Sequence, residues 1–510
     1  MKGRQTLVEG GLPAPQGSER QLARSDRTSQ TEWTEYAGSK PRTAIDFLSS
    51  AYVGYNSGYF CCHDIQEREF DMNTPMKQTL VALVCMALIA PFAGAAHFRV
   101  GFAKVDITPT KPTPMWGYGA RHDVLSEGVR DPLFAKAVLI DVGEEKMALV
   151  GLDLGRSPRP DMMARIRAAV KEASDINFVM ISGSHTHHGP VIELRDEEGK
   201  GKGRFDDAVA YTAELEQKLI AVINEAAVEP RDARIGWGSA EVLMNRNRQA
   251  KREPKPTDSE LSVMRFDDLE GKPIALMVNY AAHPTMLPGE DLRFSAEWPG
   301  QMMYAVESEL ETDVGFLQGA AGDMSCKPTE ETRGIELFGK AVGAEVVKIA
   351  RAIETHVPEA PSIQGMDEDF EFDTRLPVDN PIVAMLLAKA FFPEFGKAAF
   401  DEMKGDKITP HLTTILINKE LALVGGSGEF FCNHANRLKA RVHGVKTIFV
   451  GYCNGHHMYF PTIEAASEGG YGADPSVSWV PLGAGEKMMD KALINIYTML
   501  GKYDFKLPSL

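Results

Sequence analysis

PDMMARIRAAVKEASDINFVMISGSHTHHGP, residues 160–190, sets the reading of this chain. Apolar residues recur at helical spacing over Pro160–Ala173, and Asn177–Ser182 (NFVMIS) is a compact apolar run of strand length. Upstream, Ala135–Asp141 (AKAVLID) and Met147–Asp153 (MALVGLD) read as strands around a Gly-Glu-Glu turn. Downstream, a helix is expected over Tyr211–Ala227 and a strand over Ala233–Gly238. Leu261–Phe266 and Pro273–Asn279 read as a hairpin across Glu270-Gly271. Then follow a helix at Gln301–Leu310, a strand at Val314–Gln318 and a helix at Gly334–Glu354. Strands alternating with helices imply an α/β fold of mixed β-sheet layers flanked by helices. Neither an internal repeat nor a Pro/Ser/Gly linker divides the region, so a single large domain is expected. Pro381–Phe395 (PIVAMLLAKAFFPEF) is very apolar between charged flanks. It suits a plain core helix, or else a hydrophobic wall over a substrate channel.

The chain has 510 residues, 44% hydrophobic and 25% charged, with 46 Gly and 30 Pro, values of an ordinary globular protein rather than a low-complexity one. The net charge of −16 disfavours a phosphate backbone, so no nucleic-acid partner is expected. Residues 76–96 (MKQTLVALVCMALIAPFAGAA) place Lys77 before an apolar run, then Pro91 and the small residues Ala93 and Ala95, the layout of a secretory signal peptide. The expected organisation is therefore a polar segment 1–75, disordered or preceding the true start at Met76, a signal peptide at 76–95, and a working domain at 96–510, secreted or periplasmic. A buried core helix is the bland alternative for 76–95. No apolar run in 96–510 is long enough to span a bilayer. Of six cysteines, Cys326, Cys432 and Cys453 lie in this domain, so at most one disulfide forms.

Chemistry gathers where strands end. Ser184-His185-Thr186-His187-His188-Gly189-Pro190 follows the strand NFVMIS, at the carboxyl end that faces ligands in α/β folds. If the segment is extended, His185 and His187 point the same way. A second strand ends in Ala281-Ala282-His283-Pro284, and two strands each delivering a histidine suggest a shared metal. Zinc held by two His and a carboxylate, with one position open, is a hydrolytic arrangement. Glu429, after the strand Leu421–Val424 and Gly425-Gly426-Ser427-Gly428, is the best carboxylate candidate. The turn Gly319–Ser325 presents Asp323 and Ser325, either as part of an oxyanion site or as an ordinary strand-to-loop turn.

His185-Thr186-His187 with Gly189-Pro190, Asn245–Arg248, Asn279–Pro284, Gly322–Ser325 and Gly428-Glu429 occur together in this order. Near the start stand Gly101–Pro109 (GFAKVDITP), Gly117-Tyr118-Gly119 and Arg130–Leu133. Taken together, the sequence resembles the neutral (alkaline, non-lysosomal) ceramidase family over 98–482. The resemblance implies a zinc ion held by His185, His283, Glu429 and Tyr459, the last standing twelve residues before Tyr471, the second active-site tyrosine. It further implies Ser325 as the active-site serine, His187 as acid/base and Arg248 on the carbonyl or its oxyanion. The family also has a C-terminal immunoglobulin-like domain, which is not expected in this chain.

The activity implied is a zinc-dependent amidase cleaving the N-acyl bond of ceramide or a related N-acylated lipid, with peripheral membrane contact. Two other readings stand beside it. One is a zinc hydrolase of the same family acting on a different N-acyl or ester substrate. The other is a secreted metal-containing binding protein without turnover. The three cysteines gather near the metal or are unrelated buried thiols; His188, His434, His456 and His457 are expected outside the ligand set.

Overall fold

The computed structural model describes residues 97–503 apart from 378–379, 402 and 404–405. The expectations for 1–75 and for the signal peptide at 76–95 lie outside the described residues. Strands β1 (Arg99–Asp106), β2 (Phe134–Asp141), β3 (Lys146–Leu152), β4 (Phe178–Gly183), β5 (Arg231–Glu241), β6 (Glu260–Asp268), β7 (Pro273–Tyr280) and β8 (Asp313–Gln318) form one sheet. Its order is β8-β7-β6-β5-β1-β2-β3-β4. The pairs β3–β4 and β7–β8 are parallel, the remaining neighbours antiparallel. A second sheet holds β9 (Ile363–Asp369), β10 (His411–Ile417), β11 (Leu421–Gly426) and β12 (Lys446–Val450), the last two parallel.

The two-residue period of a strand sorts side chains between faces. Val138 and Ile140 of β2 and Ala275 and Met277 of β7 meet Ile415, Ile417, Leu421 and Leu423 in a core between the sheets. Their neighbours Ala137 and Leu139 turn onto α1 (Pro160–Ser174) and α2 (Asp206–Ala226). Leu276 and Val278 turn onto α3 (Glu297–Leu310) and α4 (Ile335–Ala352). Two short helices, α5 (Pro381–Ala390) and α6 (Pro393–Phe400), follow and lean on the outer core through Val383, Phe391 and Phe400. The outer face of the small sheet, with Leu412, Leu416, Ala422 and Val424, is covered by α7 (Cys432–Arg441) and, beyond α8 (Ile463–Glu468), by α9 (Ala484–Met499). The result is four layers, helix on sheet on sheet on helix. Mixed sheets flanked by helices are thus borne out.

Two expectations change. Helix α3 begins at Glu297, four residues before Gln301, because Pro299 sits in the first turn, where its missing N–H is not needed. Pro381–Phe395 is not a core helix. It breaks before Pro393, and Ile382, Met385 and Leu386 are 61, 62 and 55% exposed. Among the described residues, no helix is long and apolar enough to cross a membrane.

Buried amides lock the strand ends that carry the polar motifs. Asn279 Nδ2 donates to Leu317 O and to Phe449 O, both at 3.1 Å, tying β7 to β8 and to the second sheet. Gln318 Nε2 donates to Ser184 O at 2.9 Å and Ala282 O at 3.1 Å, joining the loops after β4 and β7. Replacing Asn279 with Leu leaves two buried carbonyls without a donor. The expected loss of unfolding free energy in urea is about 1–3 kcal/mol.

Candidate metal centre

His185 follows β4 in the left-handed region (φ 67°), so the segment is a turn rather than extended. The turn still brings His185 Nε2 and His187 Nε2 to 3.4 Å. His185 Nδ1 lies 2.8 Å from Gly155 O, and His283 Nδ1 lies 2.8 Å from Ala321 O. A carbonyl only accepts, so each neutral ring carries its proton on Nδ1 and presents a bare Nε2 lone pair. Those two Nε2 atoms meet at 2.9 Å. Glu429 Oε2 lies 3.3 Å from the first and 3.5 Å from the second, and is buried without a hydrogen bond. Two lone pairs and a carboxylate oxygen at these distances repel one another unless a cation lies among them. The donor types fit a divalent ion such as zinc. The ligating atoms of His185, His187 and His283 lie within 4.8 Å of one another, as do those of His185, Glu429 and His456.

The second sheet supplies the carboxylate. Glu429-Phe430 pairs in parallel with Tyr459-Phe460, which sets Glu429 opposite Tyr459. Arg248 Nη2 donates to Tyr459 OH at 3.2 Å and Gly322 O at 2.9 Å, and lies 3.3 Å from His283 Nε2. Gly322 donates its N–H to Phe430 O, and a Cβ there would fall 2.4 Å from Glu429 O, so only glycine fits.

A cavity of about 690 Å³ opens on this cluster. His187, Arg248, His283, Glu429, Tyr459 and Tyr471 line it, with Tyr471 exposed at its rim. Trp116, Phe391, Phe392, Phe395, Met458 and Trp479 give it an apolar wall. The α5–α6 segment therefore walls the cavity, the sharper of its two readings.

Ser325 and Asp323 are placed differently. Ser325 forms a β-bridge with His283 but is not among the cavity-lining residues. Asp323 is buried behind the site. Its Oδ1 accepts from Cys432 N at 2.7 Å and its Oδ2 from Asn247 Nδ2 at 2.6 Å. Burial pushes its carboxyl up to about 6. Asp323 thus braces the Arg248 and Glu429 segments instead of facing the cavity.

The cysteines divide too, and all three are free. Cys326 Sγ lies 3.4 Å from His283 O, and Cys432 Sγ 3.4 Å from Asp323 Oδ2. Cys453 belongs to the core between the sheets. His188 pairs with Arg121 Nη2 at 2.7 Å, His457 sits on Ser427, and His434 is buried against Gly485. His456, expected outside the ligand set, reaches Glu429, and one residue escaped the sequence reading: Trp116, whose ring meets His185, His187 and His456 edge-on. The position of His456, three residues before Tyr459, was the available signal.

A four-layer α/β protein with a histidine–carboxylate centre at the foot of an apolar cavity is the class so defined. Residues 98–332 match the family model for neutral/alkaline non-lysosomal ceramidase, N-terminal. It is 24% identical to the neutral ceramidase of Pseudomonas aeruginosa over 278 residues, 48% of this chain and 40% of that protein. To the neutral ceramidase of Drosophila pseudoobscura pseudoobscura it is 27% identical over 255 residues, 46% of this chain and 35% of the relative. The chain thus spans about two fifths of the length of the curated relatives it matches. The crystal structure of the Pseudomonas aeruginosa neutral ceramidase superposes with a TM-score of 0.63 at 18% identity, covering 81% of this chain and 76% of that one. A ceramidase complexed with C2 superposes equally well, at 17% identity.

Burial above all holds the His187 and His283 rings well below the ordinary imidazole value of 6.5. Both are therefore neutral at and below pH 6.5, while the unfolded chain takes up protons there. Stability of the metal-free protein is present above pH 6.5 and declines as pH falls below it. Histidine NMR of that protein is expected to show neither ring titrating as pH passes down through 6.5.

Proposed function

We propose that this protein is a zinc-dependent amidase of ceramidase type that hydrolyses the N-acyl bond of ceramide or a related N-acylated lipid. The observation that carries the proposal is the convergence of the His185 and His283 Nε2 lone pairs on Glu429 Oε2 at the foot of an apolar cavity. His185, His283 and Glu429 would hold the zinc, with Tyr459 beside Glu429 as the fourth ligand. When bound, zinc supplies Lewis-acid polarisation of a carbonyl and makes a water more acidic.

The protein's own groups do the rest. The apolar wall receives an acyl or alkyl chain and shields the scissile amide from bulk water. His187, neutral and at the cavity surface, accepts a proton from the attacking group and returns it to the leaving nitrogen. Arg248 stands where negative charge grows on the former carbonyl oxygen. Tyr471 contacts substrate at the rim, and Asp323 keeps Arg248 and Glu429 in register. Ser325, beside His283 but outside the cavity lining, suits positioning of the attacking water better than attack by its own hydroxyl. Trapping an acyl group on Ser325 would reverse that assignment.

Arg156 and Glu193, both buried, line the same cavity and pair at 3.2 Å. A charged pair in an apolar wall favours a second reading, a hydrolase for another N-acyl or ester compound with a polar head. A secreted metal-binding protein without turnover would need no counterpart of Arg248 or His187. The leader-like stretch 76–95 supports secretion, and the exposed Ile382, Met385 and Leu386 of α5 support contact with a lipid surface.

The decisive experiment assays purified protein against ceramide and short N-acyl compounds, with and without chelator, alongside metal analysis. Zinc is expected in stoichiometric amount, with turnover abolished by chelator. His185→Ala and His283→Ala should lose metal and activity together. Arg248→Ala should lower kcat on the order of 10²–10³-fold with metal retained. Metal-free protein with full turnover would sink the proposal. For the lipid surface, Met385→Glu with Leu386→Glu should abolish flotation with phosphatidylcholine vesicles and leave hydrolysis of a short soluble substrate intact.

A further inference from the structure

His456 is a histidine that no role has yet absorbed. It is buried, lines the cavity, and its Nε2 lies 3.4 Å from Glu429 Oε1. That Nε2 has no aligned hydrogen-bond partner. Glu429 therefore faces two ways: Oε2 towards His185 and His283, Oε1 towards His456.

The ring is held there by its loop. Tyr452, Asn454 and Met458 all adopt left-handed backbone (φ 53, 57 and 59°), a conformation that persists only where the surroundings over-determine it. Hydrogen bonds fix the loop on both sides of His456. Gly455 N donates to Ser157 Oγ at 2.7 Å, His457 N to Ser427 O at 2.9 Å, and Glu429 N to Met458 O at 2.8 Å. The ring itself lies edge-on to Trp116 with centroids 5.5 Å apart, and stacks over His185 at 6.1 Å. His456 and Glu429 are thus fastened to each other through the backbone as well as through their side chains.

We propose that His456 is a positioning residue of the metal centre, donating Nε2–H to Glu429 Oε1 so that Oε2 alone binds the ion. The inference rests on the metal reading above. A carboxylate that gives one oxygen to a cation leaves the other in need of a donor, and buried ligands are ordinarily oriented by such a partner. Glu429 Oε1 only accepts, so the bond requires the tautomer with hydrogen on Nε2. His456 itself stays out of the donor set.

The test measures zinc affinity of the full chain by competition with a chromophoric chelator, and records the visible spectrum after cobalt(II) substitution. His456→Ala is expected to weaken zinc binding on the order of 10–100-fold, the effect of losing an outer partner. His456→Gln, whose amide N–H reaches the same oxygen, should restore most of it. The cobalt band positions should match in all three proteins, because the ligating atoms are the same. His456→Phe keeps a ring against Trp116; weakened binding with an unchanged unfolding midpoint of the metal-free protein separates positioning from folding. Wild-type affinity in His456→Ala overturns the proposal, and so does a cobalt spectrum that moves as for loss of a nitrogen ligand. Wild-type affinity in His185→Ala is a different pattern: it removes the metal centre itself, and the role of His456 with it.

Discussion

Two imidazole nitrogens 2.9 Å apart, each with its lone pair turned towards the other, are the constraint around which the site is built. Neither ring is free to relieve the conflict by changing tautomer, since Gly155 O and Ala321 O each require a proton on the Nδ1 they face. Nor is there space to swing away. His185 lies 4.1 Å from the Tyr452 ring and is edged by Trp116, while Arg248 sits over His283. The arrangement stores electrostatic repulsion that a cation removes, and Glu429 adds the negative charge that makes the cation welcome.

Such convergence needs strands from both sheets to end at one place. Histidines come from the large sheet through the loops after β4 and β7. The carboxylate and Tyr459 come from the segments following β11 and β12 of the small one. Asn279 and Gln318 hold these ends together with buried amide bonds, and Asp323 clamps Asn247, next to Arg248, to the start of α7. Packing the sheets face to face supplies apolar burial, while these few polar contacts set the register of His185, His283 and Glu429.

Much of this was legible in the chain. The strands at 135–153 and 177–182 and the helix at 160–173 follow from periodicity alone, and strands ending in histidine announced the centre before any distance was known. Glu429 was found because a glycine-rich run signals close backbone approach. What stayed hidden depends on contacts distant in sequence. Asp323 reads as catalytic beside Ser325, yet its oxygens are taken up by Asn247 and Cys432, 76 and 109 residues away. That His456 faces Glu429 stayed hidden because nothing local shows that its loop folds back onto that carboxylate. The α5–α6 wall was ambiguous because an apolar helix lining a cavity has the composition of one filling a core.

The groups that fix the two rings, at Gly155 and Ala321, are main-chain carbonyls. Most substitutions at such positions preserve the carbonyl, so ligand orientation is buffered against sequence drift in a way that side-chain carboxylate partners are not. Position 155 is nevertheless closed to change for an unrelated reason: a Cβ there would fall 2.2 Å from the Trp116 ring. The freedom to diverge at these two carbonyls is therefore set by the side-chain space around each position and not by the peptide. Position 321 is closed as well: Ala321 is fully buried among Ala281, Met324, Cys432 and Tyr452, where a larger side chain would overpack.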